Sequence, residues 1–181
     1  MNLGLVQYVL ETELPRVFVE GATSKMIKFG IFLVDDMVDY LGYEIMKGQW
    51  NDFGQVFIKY ANSVNCSIRQ AACYGLGSFA EKTPSEVFLP LLTLSLDLLV
   101  QANNIPRNEK ESDKAHKACT DNVVSAIGKI IKAHGSTFNP RPYLSIWLNS
   151  LPLRTDEVEA VTQHRFLTEI LLNDQTLLIP D

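Results

Sequence analysis

The sequence predicts an all-α protein, built as a right-handed α-α superhelix of about four helical pairs. Apolar residues recur at intervals of three and four along almost the whole chain, which is the period of helices with one buried face. The longer predicted helices also begin at regular intervals of roughly 40 to 48 residues, which is typical of HEAT and armadillo repeat arrays. These longer helices begin near Ser24, Asn65, Asp113 and Thr155.

Composition narrows the classes of function. The chain has 181 residues, of which 46% are hydrophobic and 20% are charged, and its formal net charge is -5. This apolar content excludes a disordered segment. The acidic balance and the scattered Lys and Arg residues argue against a nucleic-acid partner. No stretch approaches the roughly 20 uninterrupted apolar residues that cross a bilayer, so we expect no membrane partner.

The mean hydropathy of +0.03 is high for a free-standing soluble domain, because every domain must cover its surface with polar groups. A solenoid cut from a longer array explains the excess, since its ends expose faces that neighbouring repeats cover. We therefore expect exposed apolar side chains on the first helix, residues 3–19, and on the tail, residues 171–179.

The first predicted pair spans residues 1–42. Pro15 interrupts its first helix and is expected to kink it, and Gly42 suits the left-handed end of the second helix, which begins at Ser24. The apolar stripe of that second helix contains Ile27, Ile31, Val34, Val38 and Leu41.

The remaining predicted pairs span residues 43–83, 84–137 and 138–181. Prolines mark two of the breaks, in Thr83-Pro84-Ser85 and in residues 139–142, because proline tolerates the first turn of a helix and resists its interior. Residues 101–112 are polar and aperiodic, which predicts an inserted surface loop. An irregular all-α bundle remains the alternative, because the repeats share little sequence.

No group of residues predicts catalysis, a cofactor or a metal site. His116 and Cys119 are three residues apart, but two ligands do not complete a zinc site. Gly75-Leu76-Gly77 lacks the third glycine and the strand of a dinucleotide fingerprint, so its small residues are expected to let neighbouring helices approach closely. The three cysteines form no paired framework, which favours a reducing compartment.

Acidic residues on predicted helix faces are the strongest candidate for binding. On the helix that begins at Ser24, Phe32, Asp35 and Asp39 are predicted to lie opposite the apolar stripe, with Asp36 beside Phe32. An exposed ring flanked by carboxylates can pack the stem of a lysine and bind its ammonium group. The alternative is an ordinary solvated helix face.

Four further positions are weaker candidates for the same role. They are Asp121, Asn122, Glu157 and Glu159. Acidic residues in a first helical turn are favoured by the helix dipole whatever their function, which applies to Glu157. Trp50 and Trp147 are expected to pack between repeats rather than to line a binding pocket.

Four motifs, which occur in the family's order, resemble the importin-β superfamily of nuclear transport receptors, and within it the importin five or karyopherin β3 branch. The sequence Arg69-Gln-Ala-Ala-Cys-Tyr-Gly-Leu-Gly77 is similar to a motif of that branch. The other three are residues 32–40, which carry a double aspartate, residues 118–130, which end near a glycine-lysine pair, and residues 148–153, which form a leucine-proline-leucine turn. Together they cover about residues 24–173.

The resemblance implies a non-enzymatic nuclear import receptor that shuttles between cytoplasm and nucleus. It implies protein cargo with lysine-rich import signals, bound on the concave side formed by the second helices, and Ran-GTP bound mainly by repeats outside this chain. The chain is then a late, C-terminal part of a longer receptor. Whether nucleoporins bind here stays open. A HEAT scaffold of a phosphatase-type complex and an α-helical enzyme are the alternatives.

The sequence departs from the family pattern at two places. The loop at residues 101–112 is longer than the family's turn. The turn before Arg69, at residues 62–65, lacks the usual aspartate, so we expect a weakened ladder of Asp–Arg contacts there.

Overall fold

The computed structural model describes residues 3–173, and within that range the chain is helical and contains no β-strand. This confirms the all-α prediction. The helices in chain order are α1 (Leu3–Tyr8), α2 (Leu14–Val17), α3 (Ser24–Met46), α4 (Trp50–Tyr60), α5 (Cys66–Lys82), α6 (Ser85–Asn103), α7 (Asp113–His134), α8 (Arg141–Ser150) and α9 (Glu157–Asn173).

The helices form two layers, as expected for a solenoid of the HEAT or armadillo kind. The long second helices α3, α5, α7 and α9 stack side by side, and α5 packs against both α3 and α7. The first helices form the other layer, in which α4 packs on α5 and α6 packs on α7. The second helices contact one another more extensively than the first helices do. Closer stacking belongs to the inner side of a curved array, so we assign the second helices to the concave face.

The core lies between the two layers. Trp50, Phe79 and Phe88 form a continuous run of ring contacts through it. The indole N–H of Trp50 donates to the Thr83 hydroxyl at 2.8 Å, and that of Trp147 donates to Gln163 Oε1 at 2.9 Å. Both indoles are fully buried and hydrogen-bonded, which confirms that they pack inside the structure.

Two glycines allow the second helices to approach closely. A Cβ on Gly77 would lie 3.0 Å from the Ala126 backbone, and a Cβ on Gly128 would overlap Gln163 and Trp147. The small residues around Gly77 therefore serve helix packing, as the sequence predicts.

The predicted irregularities of the helices are partly confirmed and partly wrong. Between α1 and α2, residues Val9–Glu13 form a π-helical turn, so the irregularity precedes Pro15. Gly42 has a φ of 73° and interrupts α3, as predicted. Gly135, which follows α7, is not left-handed: it has a φ of -57° and opens a short 3₁₀ turn, Gly135–Thr137.

The loop predicted at residues 101–112 begins only after Asn103, because α6 continues to that residue. Ala102 is buried, and the Asn104 amide donates to the Val100 carbonyl at 2.9 Å, so packing and a side-chain cap extend the polar end of the helix. Glu111 anchors the remaining loop by accepting the backbone N–H groups of Cys66 and Asn108. The limits of the four repeats remain a prediction.

Arg69 lies buried without a carboxylate partner among the described residues. It is 1% exposed, its Nη1 donates to the Ser63 carbonyl at 2.6 Å, and its Nε has no hydrogen-bond partner. A backbone carbonyl thus takes the place of the aspartate that residues 62–65 lack.

Apolar side chains are exposed at both ends of the described range. Leu5 and Tyr8 are exposed on α1, and Leu172 is exposed on α9, while residues 174–179 of the predicted tail lie outside the described residues. Among the described helices, α6 alone is long and apolar enough to span a bilayer by length and composition. Here it packs on α7 as part of the solenoid.

Candidate functional site

The predicted binding residues of α3 divide between the surface and the interior. Phe32, Asp36 and Asp39 are exposed, as expected. Asp35 is only 8% exposed, so its prediction as an accessible carboxylate is wrong. It lies at the contact between α3 and α5, where the Ser78 hydroxyl donates a hydrogen bond to it.

Asp35 is a poorly satisfied buried acid. Its Oδ1 has no hydrogen-bond partner. Burial raises the pKa of the Asp35 carboxyl to about 7, and the charges of Asp39 and Asp36 act in the same direction. Lys129 and the Ser78 hydrogen bond only partly oppose these effects. Asp35 is therefore protonated for a substantial fraction of the time at neutral pH.

Asp36 lines a groove on the side of α3 that faces α1. The groove is apolar, and Leu33, Tyr40 and Leu5 also line it. Phe32 lines a different cavity, so the expectation that Asp36 and Phe32 act together stays a prediction.

Asp39 lies on the accessible rim of the contact between α3 and α5. Its Oδ1 is 3.9 Å from Lys82 Nζ, and both side chains are partly exposed. Glu81, which precedes Lys82, is also exposed. Burial raises the pKa of the Glu81 carboxyl, and Lys129 works against that rise. The sequence pattern does not single out Glu81, although its place at the end of the motif helix α5 is a usable signal.

Asp121 and Asn122 have structural roles. Asp121 Oδ2 accepts the backbone N–H groups of Arg154, Thr155 and Asp156, at distances of 2.6 to 3.0 Å. The Asn122 amide donates to Asp156 Oδ2 at 2.9 Å. Both side chains are buried, so the prediction that they are exposed binding residues is wrong, although Asn122 also forms part of the wall of a cavity. They hold the turn that leads into α9.

The two candidate glutamates near the start of α9 also differ from each other. Glu157 is exposed in the first turn, where the helix dipole favours it. Glu159 is 4% exposed and pairs with Lys129 Nζ at 2.9 Å, and it also accepts the Ser125 hydroxyl. Glu159 is therefore not available to a partner, contrary to the prediction.

Lys129 is the centre of a polar network that no sequence pattern indicates directly. Its Nζ lies 4.7 Å from the centre of the Tyr74 ring. Burial acts to lower the pKa of Lys129, but the adjacent Glu159 carboxylate holds it above the usual value. The network continues through Ser125 to Gln163. The glycine-lysine pair of residues 128–129 was the available signal.

A cavity of about 260 Å³ opens on the same face, at the end nearer the start of α5. Phe32 and Tyr74 form part of its wall, with Lys28 against the Phe32 ring at 5.2 Å. Its remaining lining residues are Ser67, Gln70, Ala71, Asn122 and Asp156. Of the predicted set, the structure therefore brings Phe32 and Asp39 to the second-helix face as accessible groups.

The described residues offer no group of three or more His, Cys, Asp or Glu side chains that could hold a metal ion. The three cysteines are free and buried. Burial raises the pKa of all three thiols, which disfavours the reactive thiolate form.

Comparison with known proteins identifies relatives in one group. The chain is 29% identical over 154 residues to importin subunit beta-3 of Saccharomyces cerevisiae, and 28% identical over 154 residues to a probable importin-5 homolog of Dictyostelium discoideum. These matches cover 84% and 81% of the chain. The chain spans only 14% of the length of each relative. No protein-family model matches the chain. The two relatives confirm the resemblance that the four motifs indicate.

Proposed function

Because this chain is related to the importin-β family, we propose that it is a HEAT-repeat segment of a nuclear import receptor. The observation that carries the proposal is the similarity to importin subunit beta-3 along 84% of the chain. The segment acts by binding and by shape change rather than by catalysis. It works within a longer receptor that shuttles between cytoplasm and nucleus and releases cargo when Ran-GTP binds repeats outside this chain.

The ligand class in this proposal is a lysine-rich segment of a protein cargo. Asp39 and Glu81 are accessible carboxylates on α3 and α5, two helices that pack together on the second-helix face, and the exposed Phe32 ring lies two turns from Asp39 along α3. Carboxylates attract an ammonium group, and an aromatic ring packs its aliphatic stem. We name the pair Asp39 and Glu81 the acidic rim.

A binding experiment tests the proposal directly. A fluorescein-labelled lysine-rich peptide is titrated with the chain at 50 and 300 mM NaCl, and anisotropy is recorded. We expect weaker binding at high salt, because exposed charges are screened. The double variant Asp39→Asn, Glu81→Gln should lose roughly five- to tenfold in affinity, as expected for two partly exposed charges.

A matched control carries the same charge change elsewhere. Asp52 and Glu109 are exposed on α4 and on the loop before α7. The double variant Asp52→Asn, Glu109→Gln should retain the parent affinity. If both double variants bind alike, or if the peptide does not bind the parent chain, the acidic rim is not a cargo site.

A further inference from the structure

Two cysteines meet where the start of α5 packs against α7. Cys66 is the first residue of α5, and its Sγ donates to the Ala115 carbonyl of α7 at 3.2 Å. In an α-helix that carbonyl also accepts the backbone N–H four residues later, which is that of Cys119. The two thiols also hydrogen-bond to each other. The sulfurs of Cys66 and Cys119 are therefore neighbours across the contact between two second helices.

The buried guanidinium of Arg69 lies beside these sulfurs. Arg69 follows Cys66 by three residues on the same face of α5, and it donates a hydrogen bond to the Cys119 sulfur. It is 1% exposed, and its Nε has no hydrogen-bond partner. A buried cation without an anion is costly, and a thiolate at a neighbouring cysteine compensates it. Arg69 thus favours ionisation of the thiols, against the burial that opposes it.

Cys66 is the cysteine that solvent reaches. It lines an open cavity of about 440 Å³ between the start of α5 and the loop before α7. Cys73 and Cys119 are 0% and 2% exposed, and neither lines this cavity. Hydrogen peroxide is only slightly larger than water, so a cavity of this volume admits it. A small oxidant that enters the cavity therefore meets Cys66 first.

We propose that Cys66 is an oxidation site, and that hydrogen peroxide converts Cys66 and Cys119 into a reversible disulfide. The Cys66 thiolate attacks one peroxide oxygen, so the O–O bond breaks, hydroxide leaves and Cys66 becomes a sulfenic acid. The Cys119 thiolate then attacks the Cys66 sulfur, so the S–S bond forms, the S–O bond breaks and a second hydroxide leaves. The two sulfurs are oxidised and the two peroxide oxygens are reduced. With the two thiol protons, the products are one disulfide and two water molecules.

The surroundings of the thiols determine the rate and the pairing. Burial raises the pKa of Cys66 and of Cys119, so both are mostly protonated at neutral pH and the reaction is slow. The contact between the two sulfurs makes it selective. Cys73 Sγ instead donates to the Ala61 carbonyl at the end of α4, at 3.4 Å, so its thiol turns toward the first-helix layer.

The disulfide joins two neighbouring second helices covalently, so it fixes the spacing of α5 and α7. Disulfides of reducing compartments are typically transient and redox-sensing, which fits a bond that a dithiol reductant reverses. The site does not depend on the proposed function, and its test needs no cargo peptide.

Peptide mapping of the full chain after oxidation tests the proposal. Trypsin places the three cysteines in separate peptides, residues 60–69, 70–82 and 118–129. The chain is treated with hydrogen peroxide, free thiols are blocked with iodoacetamide, and the digest is analysed by mass spectrometry without reduction. We expect peptide 60–69 joined to peptide 118–129. The count of free thiols should fall from three to one per chain and return to three with dithiothreitol.

Variants assign the bond. Cys66→Ser keeps a donor for the Ala115 carbonyl, and it should abolish the joined peptides and retain both of its free thiols. Cys73→Ala is the matched control and should form the same joined pair as the parent. Circular dichroism checks that each variant is folded, and the peptide map of the parent decides the pairing even where a variant does not fold.

Three results would overturn the inference. The first is a parent chain that keeps all three thiols free after prolonged exposure to peroxide. The second is a joined pair that contains peptide 70–82. The third is a disulfide that forms only between two chains, which non-reducing electrophoresis detects as a dimer.

Discussion

The buried ion pair of Lys129 and Glu159 determines much of the polar interior between α7 and α9. The two side chains are less than 10% exposed, and Ser125 also donates to the carboxylate. Such a pair stabilises the fold little more than an apolar pair of the same shape would, but removal of one partner leaves an uncompensated buried charge. The network is therefore sensitive to single substitutions.

Replacement of Lys129 by Met should lower the free energy of unfolding by about 3 to 5 kcal/mol, since Glu159 then loses its cation. Lys132→Met is the matched control, because Lys132 pairs with Glu169 at the surface. This substitution should lower the free energy of unfolding by at most about 1 kcal/mol. Urea titration followed by circular dichroism measures both. Similar costs for the two substitutions would contradict the buried role of Lys129.

The raised pKa of Asp35 predicts how stability depends on pH. The folded carboxyl, with a pKa of about 7, binds more protons than the unfolded carboxyl between about pH 4 and pH 7. The contribution of Asp35 to stability therefore falls as the pH rises through that window. Asp35→Asn should gain stability relative to the parent from pH 5 to pH 8, on the order of 2 kcal/mol. Urea titrations at the two pH values measure this, and a constant difference would contradict it.

At the residue level, helical periodicity predicts which side of a helix a residue lies on, but not how deeply its side chain is buried. It correctly places Phe32 and Asp39 on the accessible side of α3. It cannot show that α5 covers Asp35, because that depends on how closely two helices distant in sequence approach. It also cannot show that the Asp121 carboxylate is used by the backbone of residues 154–156, which is a long-range contact.

At the level of elements, glycines set the spacing of the second helices. Gly128 lies under Trp147 and Gln163, and a methyl group there would overlap both side chains. The overlap affects the hydrogen bond between the Trp147 indole and Gln163, which joins α8 to α9. The packing of α7 against α8 and α9 thus requires a residue without a side chain at position 128.

Gly128→Ala should destabilise the chain by about 1 to 3 kcal/mol, because overpacking outweighs the higher helix propensity of alanine. Gly48→Ala is the control, since nothing lies within 4 Å of a Cβ at that position. The melting temperature should fall clearly for the first variant and change little for the second. A melting temperature for Gly128→Ala at or above that of the parent would show that α9 moves freely.

The loop before α7 is held by one carboxylate. Glu111→Ala removes the acceptor of two backbone N–H groups, those of Cys66 and Asn108. We expect faster tryptic cleavage after Arg107 and Lys110, because the loop loses its link to α5. Glu109→Ala, at an exposed neighbouring position, should leave the cleavage rate unchanged. Equal rates for both variants would contradict the anchoring role of Glu111.

Sequence patterns locate the starts of some helices but not all of their ends. Proline and the change of period locate the starts of α6 and α8. The end of α6 was predicted before residue 101, because residues 101–103 are mostly polar, yet burial of Ala102 continues the helix. The π-helical turn before Pro15 likewise depends on packing that no local pattern records.

At the level of the whole molecule, the array explains both the fold and the unusual hydropathy. Each pair buries its apolar stripe only against its neighbours, so the described ends expose Leu5, Tyr8 and Leu172. Periodicity predicts this architecture, and the four motifs and the two relatives both indicate similarity to importins. Neither periodicity nor motifs locate the binding groups, because accessibility follows from the stacking of complete helices.

The most direct test of the account is to map a bound lysine-rich peptide onto the ¹⁵N-labelled chain by NMR. We predict chemical-shift changes concentrated on α3 and α5, around Asp39, Glu81 and Phe32. Changes confined to the first-helix layer formed by α4, α6 and α8, or no changes at saturating peptide, would contradict it.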